Sequence, residues 1–208
     1  MSNQQNYKTK KINTLTLTQL AILIAIMVVM NIIPNVGYIK IGVVEITSMM
    51  IPVIAGAIAL GPISGAILGG VFGLTSFLQC FGVSFFGTTL FQFNAFFTAI
   101  MCFIPRILMG WLVGLIYRAL NKNQYIAVTL ASIAAPVINT VLFISALILM
   151  FGNSPFILEL RDGRALITFL TWLVGINGVL EIIASFVIGT AVSIALLKFL
   201  NRRKPPVN

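Results

Sequence analysis

The chain has 208 residues, of which 59% are hydrophobic and 8% charged, and its formal net charge is +9. Soluble globular domains carry about 25% charged residues, so this composition and a mean hydropathy of +1.07 exclude a soluble domain. The positive charge does not indicate nucleic acid as a partner, because lysine and arginine also accumulate on the cytoplasmic side of membrane helices. We therefore expect a single transmembrane domain over 1–208, embedded in the lipid bilayer.

The apolar segments predict an all-α bundle of six transmembrane helices. A helix needs roughly 20 apolar residues to cross a bilayer, and segments that approach or exceed this length lie at 14–33, 45–60, 62–79, 92–118, 125–150 and 165–199. Gly61 and Pro62 separate the second and third helices, because proline suits the first turn of a new helix. The first helix is longer than the apolar region of a signal peptide, so we expect it to be retained.

The basic residues predict that both termini are cytoplasmic. With this orientation, nine of the basic residues counted near helix ends lie on the cytoplasmic side of the membrane and three on the outer side. The three outer residues are Lys40, Arg161 and Arg164. The cytoplasmic tails would be 1–13 and 201–208. The outer loops would be 34–44, 80–91 and 151–164, long enough to cover a site that opens to the exterior.

The sequence contains no constellation typical of an enzyme. Histidine is absent, and the acidic residues are only Glu45, Glu159, Asp162 and Glu181, so no Ser-His-Asp or metal-binding pattern can be assembled. A GxxxxGK[ST] phosphate loop is also missing, so any ATP must be bound by another subunit. We predict no enzymatic activity, no cofactor and no metal. Cys80 and Cys102 lie too far apart in register for a metal pair or a redox motif, and we expect both to be structural.

Two charged residues lie inside predicted helices. Arg106 follows Pro105 in CFIPRILMG, and Glu181 lies in the last helix at a similar depth. Buried charges in membranes usually face the protein interior and have a partner. Two interpretations are compatible, a salt bridge between Arg106 and Glu181 or contact of Arg106 with an anionic substrate.

Polar and aromatic residues cluster in the last three predicted helices. They are Gln92, Asn94, Asn139, Trp172 and Asn177. Buried amides need hydrogen-bond partners, which neighbouring helices or a ligand could supply. Their concentration in the outer half of the bundle favours a ligand site there.

Small residues recur every fourth position on two helices, which places each set on one helix face. Gly65, Gly69 and Gly73 form such a set, and we expect them to serve internal packing. Ala21 and Ala25, in AILIA, form another. Spacing alone leaves open whether the alanines face the bundle or a partner.

These segments resemble the substrate-capture (S) components of energy-coupling factor vitamin transporters. The resemblance covers nearly the whole chain and rests on AILIA, IKIGVVEIT, IPVIAGAIALGPISGAILGGVFGLTSF, NAFFTAIMCFIPRILMGWLVGLIY and NGVLEIIASFVIG. It implies a bacterial plasma-membrane protein that binds a vitamin at its outer side. It also implies docking on a transmembrane coupling (T) subunit carried by two cytoplasmic ATPases, with Ala21 and Ala25 as docking residues.

The resemblance further implies that the protein topples in the bilayer and that two loops act as gates. One carries Tyr38 and Lys40, and the other spans 79–86 and begins at Gln79. The segment FGLTSFLQCFGVSFFGTTL, with Asn94 and Arg106, looks most like the pantothenate type. Pantothenate is an anion with hydroxyl and amide groups, which amide donors and one arginine would suit.

Other functions remain open on the sequence alone. S components for hydroxymethylpyrimidine, pyridoxine, riboflavin or cobalamin share the architecture, and Trp172 can stack on a ring. The intramembrane charges would also suit a self-sufficient carrier or channel, and a scaffold that binds no small molecule is a third alternative.

Overall fold

The computed structural model describes residues 14–33, 36–41, 44–120, 123–155, 157–158 and 178–202. In chain order the elements are α1 Thr14–Ile32, β1 Tyr38–Ile41, β2 Val44–Thr47, α2 Met50–Leu60, α3 Pro62–Gln79, α4 Phe85–Phe93, α5 Ala95–Ala119 and α6 Gln124–Phe151, followed by α7 over residues 178–202. A π-helical turn, Ser185–Gly189, interrupts α7.

The described helices form a membrane-type bundle. Five of them are long and apolar enough to span a bilayer: Thr14–Ile32, Pro62–Gln79, Ala95–Ala119, Gln124–Phe151 and Gly178–Phe199. The second predicted span corresponds to α2, which has 11 residues. It rises about 16 Å at 1.5 Å per residue, about half of a 30 Å hydrocarbon core. A helical bundle is therefore confirmed, whereas α2 is too short to cross alone.

A two-stranded hairpin replaces part of the predicted second helix and of the loop before it. Tyr38 pairs with Thr47, and Ile41 pairs with Val44, in antiparallel register. The prediction of a loop over 34–44 and a helix from 45 was therefore wrong. The segment IKIGVVEIT is rich in β-branched residues, and β-branched side chains favour strands. The helix begins only at Met50.

A short helix, α4, begins inside the predicted loop 80–91. Its first turn is capped by Ser84, whose hydroxyl accepts a hydrogen bond from the Gly87 amide at 3.3 Å. It ends at Phe93, and α5 begins at Ala95 after the cap residue Asn94. The predicted helix start at residue 92 is corrected accordingly, because the extended backbone of Asn94 breaks the helix.

Glycines hold α3 and α5 in backbone contact. A Cβ added at Gly69 would overlap the Arg106 carbonyl, and one at Gly65 would overlap the Gly110 carbonyl. Near the carboxyl end of α3, a Cβ at Gly73 would lie 2.9 Å from the Cys102 carbonyl oxygen. The predicted internal packing of the glycine set is confirmed, and the order of these contacts shows that α3 and α5 run antiparallel.

The main core lies between α1, α2, α3, α5 and α6. Its fully buried members include Met27, Val53, Leu68, Met109 and Ala131. The hairpin joins this bundle beside the carboxyl-terminal half of α3, where α5 begins. We call this part of the molecule the hairpin end.

Candidate functional site

Arg106 is buried within α5, with 8% of its surface exposed. The preceding residue, Pro105, has no N–H group, so it cannot bond the carbonyl of Met101 one turn earlier. The guanidinium supplies the missing donor, because Nη1 donates to the Met101 carbonyl at 2.6 Å. Its Nε is buried without a hydrogen-bond partner among the described residues, so within this part of the chain the arginine keeps a donor available for a ligand.

Two aromatic rings contact the same guanidinium. The Arg106 Cζ lies 4.9 Å from the ring centroid of Phe143 on α6 and 5.6 Å from that of Phe72 on α3. Both distances fall within the range of cation–π attraction, which is stronger where water is excluded. The rings therefore hold the positive charge in an apolar setting, where its attraction for an anion is less screened.

Glu181 is the second buried charge, with 7% of its surface exposed. Its Oε1 accepts a hydrogen bond from the Thr47 amide at 3.2 Å. This bond joins α7 to the last residue of the hairpin, a connection that the sequence does not reveal.

The expected salt bridge between Arg106 and Glu181 is not formed. Each side chain has another bonded partner, the Met101 carbonyl and the Thr47 amide respectively. The structure therefore gives the two buried side chains separate partners.

Tyr38 joins the hairpin to α3. Its hydroxyl lies 3.0 Å from the Thr75 hydroxyl, which in turn donates to the Phe72 carbonyl at 2.8 Å. Because a hydroxyl has a single proton to donate, Tyr38 is the donor to Thr75. The ring of Tyr38 lies 6.4 Å from that of Phe72, so the hairpin reaches one of the rings that contact Arg106.

Two of the predicted amides are buried with an unused oxygen. Asn139 on α6 has a buried Oδ1 that finds no hydrogen-bond partner in the described part of the chain, and it lies one turn before Phe143 on the same helix face. Gln79, at the end of α3, also has an unpartnered Oε1, while its Nε2 donates to Asn31 Oδ1 at 3.5 Å. Buried polar atoms without partners are rare, so both amides are candidates for ligand contact.

Two of the other predicted binding residues, Gln92 and Asn94, lie at the surface of the described structure. The Asn94 side chain accepts from the Phe97 amide at 3.1 Å as the cap of α5. Trp172 and Asn177 lie outside the described residues. Among the residues described, no group of three His, Cys, Asp or Glu side chains could hold a metal ion.

The small residues of α1 face outwards. Ala21 and Ala25 are exposed, whereas the buried residues of this helix are Leu20, Leu23 and Met27. The alanine face is therefore not used for packing within the described bundle.

Comparison with known proteins decides the family. The model of the substrate-specific component of ECF transporters matches residues 15–193. This chain belongs to that family. The pantothenic acid transporter PanT of Lactococcus lactis subsp. cremoris (strain MG1363) is 34% identical over 197 residues, which are 88% of this chain and 93% of the relative. The pantothenate transporter PanT of Leuconostoc mesenteroides subsp. mesenteroides is 28% identical over 188 residues, 86% and 90% of the two chains.

Membership of the S-component family explains the general chemistry of the site. The protein is a multi-pass protein of the bacterial cell membrane, and its relatives are transporters. A transporter must bind and release its substrate unchanged. Sites for small molecules generally combine apolar and aromatic side chains with a few hydrogen-bonding groups.

Sequence reasoning about this S component missed the residues that contact Arg106, Glu181 and Tyr38. Phe72, Phe143, Thr47 and Thr75 were not predicted. Phe143 could have been found, because it lies four residues after Asn139 and shares its helix face. The other three depend on the approach of the hairpin and of α3, for which one sequence carries no signal.

Proposed function

We propose that this chain is the substrate-binding subunit of an ATP-driven energy-coupling factor importer for pantothenate. Both relatives described above are named as pantothenate transporters. The observation that carries the proposal is the buried Arg106, whose charge lies over two aromatic rings and whose Nε has no hydrogen-bond partner in the portion of the chain that the structure describes. A cation of this kind suits a carboxylate, since a charge-assisted hydrogen bond is stronger than a neutral one.

The rest of the cluster matches the remaining groups of pantothenate. The molecule has hydroxyl groups and an amide beside its carboxylate, so it needs both donors and acceptors. Asn139 and Gln79 each present an unpartnered side-chain oxygen, which can accept from a hydroxyl or an amide N–H. In this proposal Tyr38 and Glu181 hold the hairpin over the ligand, and the hairpin end faces the exterior.

The energy for transport would come from other chains. This sequence has no GxxxxGK[ST] motif, and two cytoplasmic ATPases acting through a T subunit would supply the missing step. We propose that Ala21 and Ala25 dock on that subunit, because they are exposed and small side chains let helices approach closely. Both chain termini would lie in the cytoplasm.

Uptake by proteoliposomes tests the proposal. Labelled pantothenate should accumulate only when the protein is reconstituted with its coupling module and internal ATP, whereas the lone protein should bind pantothenate without accumulating it. Accumulation by the lone chain along an ion gradient would instead identify a secondary carrier. Preferred binding of riboflavin, pyridoxine, hydroxymethylpyrimidine or cobalamin in a competition series would contradict the choice of vitamin.

Bulky substitutions on α1 test the docking face. Ala25→Trp should reduce ATP-dependent uptake at least about tenfold, because an obstructed contact of small residues prevents close helix approach. Ligand binding by the isolated protein should stay unchanged. The matched control is Ile26→Trp, since Ile26 is also exposed but lies about 100° further around the helix. Equal losses of uptake in both variants would remove the alanine face from the docking surface.

A further inference from the structure

The two cysteines of the chain lie side by side in the fold. The sequence contains only Cys80 and Cys102, which we expected to be structural and too far apart in register for a metal pair or a redox motif. In the structure their sulfur atoms are 3.9 Å apart, and both side chains are 97% buried. This proximity contradicts the expectation that they lie too far apart for a redox motif.

The packing of α3 against α5 creates the pair. Cys80 ends α3 as its carboxyl-terminal cap, and Cys102 lies in the second turn of α5. Gly73 lets the two helix backbones touch, because a Cβ there would lie only 2.9 Å from the Cys102 carbonyl oxygen. Ser76 lies between the cysteines: its hydroxyl is 3.9 Å from the Cys102 sulfur, and its carbonyl is 3.5 Å from the Cys80 sulfur.

We propose that Cys80 and Cys102 are a disulfide-forming site that links α3 to α5 when the protein meets a peroxide. The two thiols lose two protons and two electrons as the S–S bond forms. Hydrogen peroxide accepts the two protons and the two electrons. Its O–O bond breaks, and two water molecules form. The reaction passes through a sulfenic acid on one cysteine, which the neighbouring thiol attacks with loss of water.

The geometry permits this bond with small movements. A disulfide has a sulfur separation of about 2.05 Å, so the sulfur atoms must approach by about 1.9 Å. Rotation about the Cα–Cβ bonds can supply that distance without moving the helices closer together. The backbones are already in contact at Gly73, so such a movement has to come from the side chains.

The turn after Cys80 offers a route for the oxidant. Phe81, Gly82 and Val83 are exposed, and the Gly82 amide is held by a hydrogen bond to the Thr88 hydroxyl at 3.0 Å. Local opening of an exposed turn costs far less than global unfolding. A small uncharged peroxide can thus reach Cys80 while the bundle stays folded.

The bond would restrain the end of the molecule that carries the candidate site. It would close the segment 81–101, which contains α4, and a disulfide stabilises chiefly by restricting the unfolded chain. Cys102 also lies one turn before Arg106 on the same face of α5. The expected consequence is a more stable hairpin end in the oxidised protein.

Thiol counting on the purified full-length protein tests the inference. After brief exposure to hydrogen peroxide and denaturation, the number of thiols that react with N-ethylmaleimide should fall from two to none, and dithiothreitol should restore both. Peptide mapping without reduction should recover a peptide that links Cys80 to Cys102. The melting temperature of the oxidised protein should rise by about 5 °C relative to the reduced protein.

The variants Cys80→Ser and Cys102→Ser serve as matched controls. Each should keep its melting temperature unchanged by peroxide, because neither can form the bond within one chain. The proposal fails if the wild-type thiol count stays at two, or if mapping finds separately oxidised cysteines or a link between two copies. It also fails if the linked protein melts at a lower temperature. The thiol count and map of the wild-type protein decide the matter even if a serine variant does not fold.

Discussion

The contact between α3 and α5 differs in kind from the contact between the hairpin and α7. The first is a continuous backbone contact along Gly65, Gly69 and Gly73, with no room for a side chain at those positions. Among the described residues, a hydrogen bond from the Thr47 amide to Glu181 links the hairpin to α7. Both contacts lie near Arg106. The α3–α5 side of the site is therefore closely packed, whereas the hairpin side is joined to α7 by a polar contact.

The two contacts are expected to have different roles. The α3–α5 contact governs stability, and the contact between the hairpin and α7 governs ligand exchange. Close packing at α3 and α5 fixes Phe72 and Arg106 relative to each other, and such packing tolerates no change in volume. A hydrogen bond to a hairpin can be broken and remade without disturbing the core. We infer that changes in the first region affect folding, whereas changes in the second affect how the ligand enters and leaves.

The largest effect is expected for Gly69→Val. A side chain there would overlap the Arg106 carbonyl, and overpacking against backbone should lower the free energy of unfolding by about 3 kcal/mol. The neighbouring Gly70→Val is the matched control, because a Cβ at Gly70 would meet only Ile107 Cγ1, at 3.8 Å. Thermal unfolding of both variants measures the contrast. Equal stability would show that α3 and α5 can separate without cost.

Arg106→Gln tests the residue between the two regions. Loss of the charge that we assign to the pantothenate carboxylate should weaken binding about a hundredfold, equivalent to about 2.7 kcal/mol. Affinity for pantothenol, which has a hydroxyl in place of the carboxylate, should change much less. The control is Arg118→Gln, an exposed position near the other end of α5. If both ligands weaken equally in the Arg106 variant, the arginine supports structure and does not contact the carboxylate.

Glu181→Ala tests the weaker contact. It removes the acceptor for the Thr47 amide, and a hydrogen bond to a charged group contributes about 1.5 to 3 kcal/mol. Pantothenate should dissociate about tenfold faster in stopped-flow measurements, and the melting temperature should fall by less than it does in Gly69→Val. Glu181→Gln keeps an acceptor oxygen and should dissociate at nearly the wild-type rate. An unchanged rate in the alanine variant would mean that the hairpin is held by other contacts.

Asn139→Ala should have the smallest effect. Its buried Oδ1 has no partner within the described protein, so its removal costs only the proposed ligand contact, about 1 kcal/mol or roughly fivefold in affinity. Isothermal titration with pantothenate measures this change. A variant that binds as well as the wild type but unfolds more easily would place Asn139 in the packing of α6 only.

Several features followed from local sequence properties. Length and apolar composition predicted the membrane helices, because a span is a contiguous property of the chain. The turn at Gly61 was equally local, since its φ of 104° is accessible to glycine at little cost. The glycine spacing predicted a packing face on α3, and Arg106 and Glu181 were singled out because buried charges in a membrane are costly.

The arrangement of the site depended on contacts between distant segments. The hairpin replaced a predicted loop and helix start because strand pairing at Tyr38 and Thr47 is a relation between two segments. Arg106 and Glu181 share a depth, but the structure gives each a different partner. Cys80 and Cys102 are far apart in the chain and meet only because α3 packs against α5. Composition and spacing determine which segments enter the membrane, whereas the choice of neighbours requires the packed bundle, since hydrogen bonds and close contacts depend on atoms that sequence order does not bring together.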